Sequence, residues 1–93
     1  MPNQFEWNPA KAKTNLAKHE VSFEEASTVF DDPMLITVLD DDHSQDKQRY
    51  ITIGLSKNNR LLMVAHTESD DRIRVISARK ATRNEEKFYA KAG

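Results

Sequence analysis

Ninety-three residues fit a single domain, 1–93,. With 14 basic and 15 acidic residues, a net charge of −1 and 38% apolar content, the chain can fill one small core and little more. It has no cysteine, and glycine occurs only at positions 54 and 93. Disulfide scaffolds, thiol catalysis, Cys-based zinc sites, P-loops and dinucleotide-binding loops are therefore excluded.

The first element expected is a short strand at residues 5–7. Asn8-Pro9 then supplies an N-cap followed by proline at the first helical position, opening a helix over 9–18,. Ser22-Phe23-Glu24-Glu25 has the form of a capping box, with the serine accepting the Glu25 N–H and Glu25 reaching back,. Phe23, Ala26, Val29 and Phe30 follow at helical spacing until Asp32-Pro33 stops the helix,. Beyond Pro33 the period changes from 3.6 to 2. Strands are expected over 34–39, 48–56, 60–68 and 72–79, with an acidic loop over 40–47,. Thr82-x-x-Glu85 is a second capping box, opening a C-terminal helix that carries Phe88 and Tyr89,. The fold class is α+β, in the order β-α-α-β-β-β-β-α, with two N-terminal helices on one face of an antiparallel sheet. The longest apolar run, residues 61–65, is far too short for a bilayer span or a signal-peptide core, which points to a cytoplasmic protein,.

The near-neutral total hides segregation. Residues 20–46 hold nine acidic side chains and no lysine or arginine, whereas residues 72–93 hold seven basic side chains against Glu85 and Glu86. Such a basic end suits a polyanion or an acidic protein partner, and equally a solubilising dipolar surface. A two-residue turn at Asn58-Asn59 would pair Ile51 with His66 and Arg49 with Glu68. A three-residue loop at 69–71 would pair His66 with Arg74 and Glu68 with Arg72, keeping Val64 opposite Ile76. Under that register one face carries an apolar surface that ends in Arg49, His66, Glu68, Arg72 and Arg74.

RNA cleavage without a metal needs a base for the ribose 2′-hydroxyl, cations for the phosphate and an acid for the leaving oxygen. His66, Glu68, Arg72 and Arg74 are the catalytic candidates, and Arg49, Arg79, Lys18 and His19 the candidate phosphate binders. Structural roles compete with each: a cross-strand ion ladder for Arg49 and Glu68, a semi-buried histidine for His66, and helix-end capping for Lys18 and His19. His43 after Asp40-Asp41-Asp42 reads as a solvated acidic loop, because sequential ligands do not make one coordination sphere. No cofactor or metal is expected.

Phe5-x-Trp7-Asn8-Pro9-x-Lys11, Asn15-x-x-Lys18-His19-x-Val21-Ser22-Phe23-Glu24-Glu25-Ala26 and Phe30-x-Asp32-Pro33 closely resemble the BrnT toxins of type II toxin–antitoxin systems. So do Asp42-His43-Ser44, Arg49-Tyr50-x-Thr52-Ile53-Gly54-Leu55-Ser56, His66-Thr67-Glu68 and Arg72-Ile73-Arg74-x-Ile76-Ser77-Ala78-Arg79. The resemblance implies a RelE/ParE-like fold and an endoribonuclease that blocks translation. It further implies neutralisation by a BrnA-type antitoxin whose DNA-binding part lets the complex repress its own operon. A non-enzymatic ParE-like inhibitor of a protein target, or an inactive antitoxin-binding member, is the alternative. Two positions depart from the family pattern: Asn8 stands where Asp is usual, and Glu20 where Gly is usual.

Overall fold

The computed structural model describes residues 4–43 and 47–92, with His43 described in its backbone only. Ser44 and Asp46, which belong to the resemblance and to the acidic run above, lie outside the described residues, as does the His43 side chain. The elements are β1 (Gln4–Glu6), α1 (Pro9–His19), α2 (Phe23–Thr28), β2 (Ile36–Leu39), β3 (Arg49–Leu55), β4 (Leu61–Ser69), β5 (Arg72–Lys80) and α3 (Arg83–Ala92). A 3₁₀ turn at Val29–Asp31 extends α2, and another at Asp41–His43 follows β2.

The helix starts follow from their caps. Asn8 Oδ1 accepts from the N–H groups of Ala10 (2.8 Å) and Lys11 (3.2 Å), satisfying two orphan donors of α1,. Thr82 and Glu85 form the reciprocal box expected at α3,. The box at α2 is only half made. Ser22 Oγ accepts the Glu25 N–H at 3.0 Å, but the Glu25 carboxylate turns away to Arg60 and to Ser56 Oγ (2.7 Å). That pairing ties α2 to the β3–β4 turn. α1 ends on Glu20 in the left-handed region, φ 60°, where its N–H still closes onto Leu16.

One five-stranded sheet runs in the order β1-β5-β4-β3-β2. It is mixed, not wholly antiparallel: β1 pairs with β5 in parallel, Phe5 opposite Ile73 and Glu6 opposite Arg74. Short turns force antiparallel pairing only between strands they join, and residues 7–71 separate β1 from β5,.

Both hairpin registers differ from those expected. The β3–β4 loop has three residues, Lys57-Asn58-Asn59, between the paired Ser56 and Arg60, and of the two asparagines only Asn59 has positive φ (61°),. The ladder is thereby displaced by one residue, giving Tyr50 opposite His66 and Arg49 opposite Thr67. The β4–β5 turn has two residues, Asp70-Asp71, with Ser69 opposite Arg72. Continued unbroken, that register would set Val64 opposite Ser77. A β-bulge at Ile76 prevents it: His66 faces Val75, Ala65 faces Ser77, and Val64 faces Ala78,. Before the bulge the odd residues of β5 face the core, and after it the even ones do.

The core lies between the helices and one sheet face: Val21, Phe23, Ala26 and Val29 against Leu62, Val64, Ile73, Val75 and Ala78. Burying Phe23 alone contributes roughly 1.5–3 kcal/mol,. Trp7 meets Phe23 edge-on at 5.9 Å, and Phe5 meets Phe30 at 5.5 Å,. Gly54 lets the 3₁₀ turn after α2 approach β3, since a Cβ there would stand 2.8 Å from Val29 Cγ1. α3 reaches β3 and has no buried residue of its own. Two of its anchors are Tyr89 Oη donating to Asp32 Oδ2 (2.6 Å) and the Glu85–Arg79 pair.

Candidate functional site

Residues directly opposite each other in a sheet point to the same side. Arg72 with Ser69, Arg74 with Thr67, and Thr67 with Arg49 therefore share the face turned away from α1 and α2. β1 adds Glu6, opposite Arg74. Glu6, Lys47, Thr67, Ser69, Arg72 and Arg74 line a cavity of about 160 Å³ there. Three cations, two hydroxyls and one carboxylate thus meet at a surface open to solvent, with the Arg72 and Arg74 side chains 62% and 47% exposed.

The carboxylate bridges the two arginines. Arg74 Nη1 donates to Glu6 Oε2 at 3.0 Å, and Arg72 Nη1 to Glu6 Oε1 at 3.2 Å. Arg74 first, then Arg72, hold the Glu6 carboxyl below the usual carboxylate range,. One nitrogen of each fork is engaged in these bonds, and guanidinium has five N–H donors, so both arginines keep donors for a phosphate.

His66 and Glu68 do not join this group. The one-residue displacement at Asn58-Asn59 and the two-residue turn at Asp70-Asp71 place them on the face covered by α1 and α2, opposite Tyr50, Val75 and Ile73. The His66 ring is 0% exposed, stacked on Tyr50 (5.9 Å) and edge-on to Phe30 (5.0 Å). Its Nε2 lies 2.7 Å from Thr52 Oγ1, which in turn lies 2.8 Å from Thr37 Oγ1. Nδ1 has no hydrogen-bond partner, and Glu68 Oε2 stands 3.6 Å away. Burial pushes the imidazole down to about 4, weakly opposed by the Thr67 main chain, so it stays neutral in the fold. A sealed ring of this kind has no path to an RNA strand lying on the arginine face.

The remaining candidates are distributed elsewhere. Arg79 is engaged by Glu85 through both guanidinium ends, at 2.8 and 3.0 Å. Lys18 and His19 line a separate groove of about 330 Å³ between α1 and β5, with Lys11, Thr14 and Ile76. A larger hollow of about 710 Å³ is lined only by α3 residues and brings no catalytic group together. Glu6, Lys47, Thr67 and Ser69 went unrecognised in the sequence. Glu6 could have been found only through the parallel β1–β5 pairing, for which no local signal exists. Among the described residues, no group of three or more His, Cys, Asp or Glu side chains is placed to hold a metal ion.

Chemically, the cavity can seat a phosphodiester on the arginine forks, with hydroxyls and an ammonium group at its rim. Comparison with known proteins adds to this. The family described as "Ribonuclease toxin, BrnT, of type II toxin-antitoxin system" matches residues 7–85. The crystal structure of the Brucella abortus ribonuclease toxin BrnT superposes with a TM-score of 0.62 at 20% identity, covering 86% of this chain and 97% of that one. At that identity the likeness speaks for the fold. No curated protein matches the chain.

Proposed function

The chain belongs to the BrnT family of ribonuclease toxins of type II toxin–antitoxin systems, and we propose that it cleaves RNA in the Lys47–Arg74 cavity. The observation that carries this reading is the convergence of Lys47, Arg72 and Arg74 with Thr67 and Ser69 on one exposed sheet face. Arg72 and Arg74 grip the scissile phosphate, and Arg49, opposite Thr67, extends the same cationic surface,. These cations supply the charge stabilisation that a divalent ion would otherwise bring, which supports a metal-independent reaction. Lys18 and His19 bind RNA backbone away from the scissile bond, in the groove beside β5. His66 sits in the sheet interior with the half-exposed Glu68 beside it, and both act on substrate only through the strand that carries Thr67.

Cleavage of cellular RNA would inhibit translation, and a BrnA-type antitoxin would silence the activity by covering the arginine face. In the RelE/ParE-like reading of the fold, that antitoxin brings the DNA-binding part through which the complex represses its operon. A basic surface of this kind favours an acidic antitoxin segment and fast, salt-sensitive association.

The test is incubation of the purified chain with a defined RNA in EDTA, with and without excess antitoxin. Cleavage that persists in EDTA and stops with antitoxin is the expected result. No cleavage of any RNA, with growth arrest retained, would instead favour a non-enzymatic ParE-like toxin.

A further inference from the structure

The nucleophile in metal-free RNA cleavage is the ribose 2′-hydroxyl, and it reacts only when a base removes its proton. Both sequence-derived candidates for that base, His66 and Glu68, lie on the far side of the sheet from the arginines. On the arginine face, Glu6 is the one carboxylate among the described residues lining the cavity. The family match begins at Trp7, one residue after it.

We propose that Glu6 is the general base of RNA cleavage, accepting the 2′-hydroxyl proton of the nucleotide whose 3′-phosphate lies between Arg72 and Arg74. The inference rests on the cavity being the site of cleavage. Its geometry is an exchange of partners. In the resting site each Glu6 oxygen takes one N–H from one arginine, at 3.0 and 3.2 Å. When Glu6 accepts the proton its charge is neutralised and its hold on both guanidinium groups weakens. At the same moment the 2′-oxygen bonds to phosphorus and negative charge grows on the phosphoryl oxygens, within reach of the same two forks. The charge that Glu6 loses reappears where Arg72 and Arg74 can follow it. The P–O5′ bond then breaks, water protonates the departing 5′-oxygen, and Glu6 returns its proton to water. The products are a 2′,3′-cyclic phosphate and a 5′-hydroxyl.

The groups facing Glu6 are Arg72 and Arg74 from β5 and Lys47 ahead of β3, all cations, with the neutral Thr67 and Ser69. They keep the carboxylate ionised at neutral pH, the form that can accept a proton, while lowering its basicity,. Because the side chain is 37% exposed on a three-residue edge strand, its replacement leaves the core intact.

The experiment uses the full chain and a defined single-stranded RNA, comparing wild type with Glu6→Gln, Glu6→Asp, Arg72→Ala and Arg74→Ala. Single-turnover rate, RNA affinity, product termini and melting temperature are read on each preparation. Glu6→Gln should slow cleavage by about 10²–10⁴-fold with affinity unchanged or tighter. Its pH–rate profile should lose the acidic limb that wild type and Glu6→Asp retain. A Glu6→Gln variant that cuts within a few-fold of wild type, or faster, overturns the inference, since Glu6 would then only occupy the phosphate seat. If the two arginine variants also cut at the wild-type rate, the cavity itself is not the site. Loss in those variants with full activity in Glu6→Gln defeats the Glu6 assignment alone.

Discussion

The Asn15 side-chain amide pairs with both main-chain groups of Ala78: Nδ2 donates to the Ala78 carbonyl at 2.9 Å, and Oδ1 accepts the Ala78 N–H at 3.1 Å. Nδ2 also donates to the Val21 carbonyl at 2.9 Å. β1 covers β5 only at Arg72–Arg74, so at Ala78 this one amide takes the place of a neighbouring strand and ties α1 to the sheet.

Asn15→Ala would leave buried main-chain groups without partners, each costing about 1–3 kcal/mol. A total loss of about 3 kcal/mol, or roughly 12–24 °C in a domain of this size, is expected. Thermal denaturation followed by circular dichroism checks it; a loss below about 0.5 kcal/mol would mean that water replaces the amide freely.

Glu20 holds a left-handed conformation, φ 60° and ψ 32°, which costs a residue with a Cβ about 1–2 kcal/mol. Its carbonyl accepts from Arg60 Nη2 at 3.0 Å, a bond any residue keeps. Glu20→Gly should therefore stabilise by about 1 kcal/mol, after the extra entropy that glycine gains in the unfolded chain. The melting temperature should rise by about 4–8 °C; a fall would show that the Glu20 side chain contributes more than its backbone costs.

Arg72→Ala and Arg74→Ala should each abolish detectable RNA cleavage while melting within a few degrees of wild type, since exposed ion pairs add little stability,. Each should also reduce the slope of log affinity against log salt by about 0.7, the signature of one lost phosphate contact on a single strand. Filter binding across a salt series measures the slope, and an unchanged slope would remove the arginines from the phosphate seat.

The buried His66 predicts a specific pH dependence. Its value falls from 6.5 in the unfolded chain to about 4 in the fold. Between those values the unfolded state binds more protons, so stability declines as pH falls through that window. About 3 kcal/mol is at stake over the full shift, as an order of magnitude. Glu25, held down to about 2 chiefly by Arg60, loses its contribution only below its ordinary value of 4.5. His66→Gln should flatten the stability curve between pH 6.5 and 4.5 and lower the melting temperature at pH 7. RNA cleavage per folded molecule should stay near wild type; a drop of 10²-fold or more would return proton transfer to this ring.

Caps, helices and strand positions were legible because each rests on a local rule: Asn8 and Ser22 announce helix starts, and Pro33 marks the change of period. The arginines of the site were also legible, in that Arg49, Arg72 and Arg74 do share a face. Its partition was not. A one-residue difference in loop length moves a whole strand's side chains across the sheet, and Asn58-Asn59 is compatible with two- and three-residue loops alike. The bulge was hidden for a related reason. Ile76 continues the even series of Arg72, Arg74 and Ala78, so a strict period of two sets all four on one face. Only the three-dimensional need to keep both Ile73 and Ala78 inside reveals the phase change.

β5 consequently holds one residue of slack. Excising Ile76 would join Val75 to Ser77 and leave His66–Val75 and Ala65–Ser77 as consecutive rungs of an uninterrupted ladder. No side chain on either surface would reverse, and the arginines would keep their outlook. β4 has no such reserve, because it is paired on both sides along most of its length. A chain shortened by one residue there must turn part of its interior outward. Loss of a residue is therefore accommodated at Ile76 and refused along β4, which makes the sheet's tolerance to deletion as lopsided as its distribution of charge.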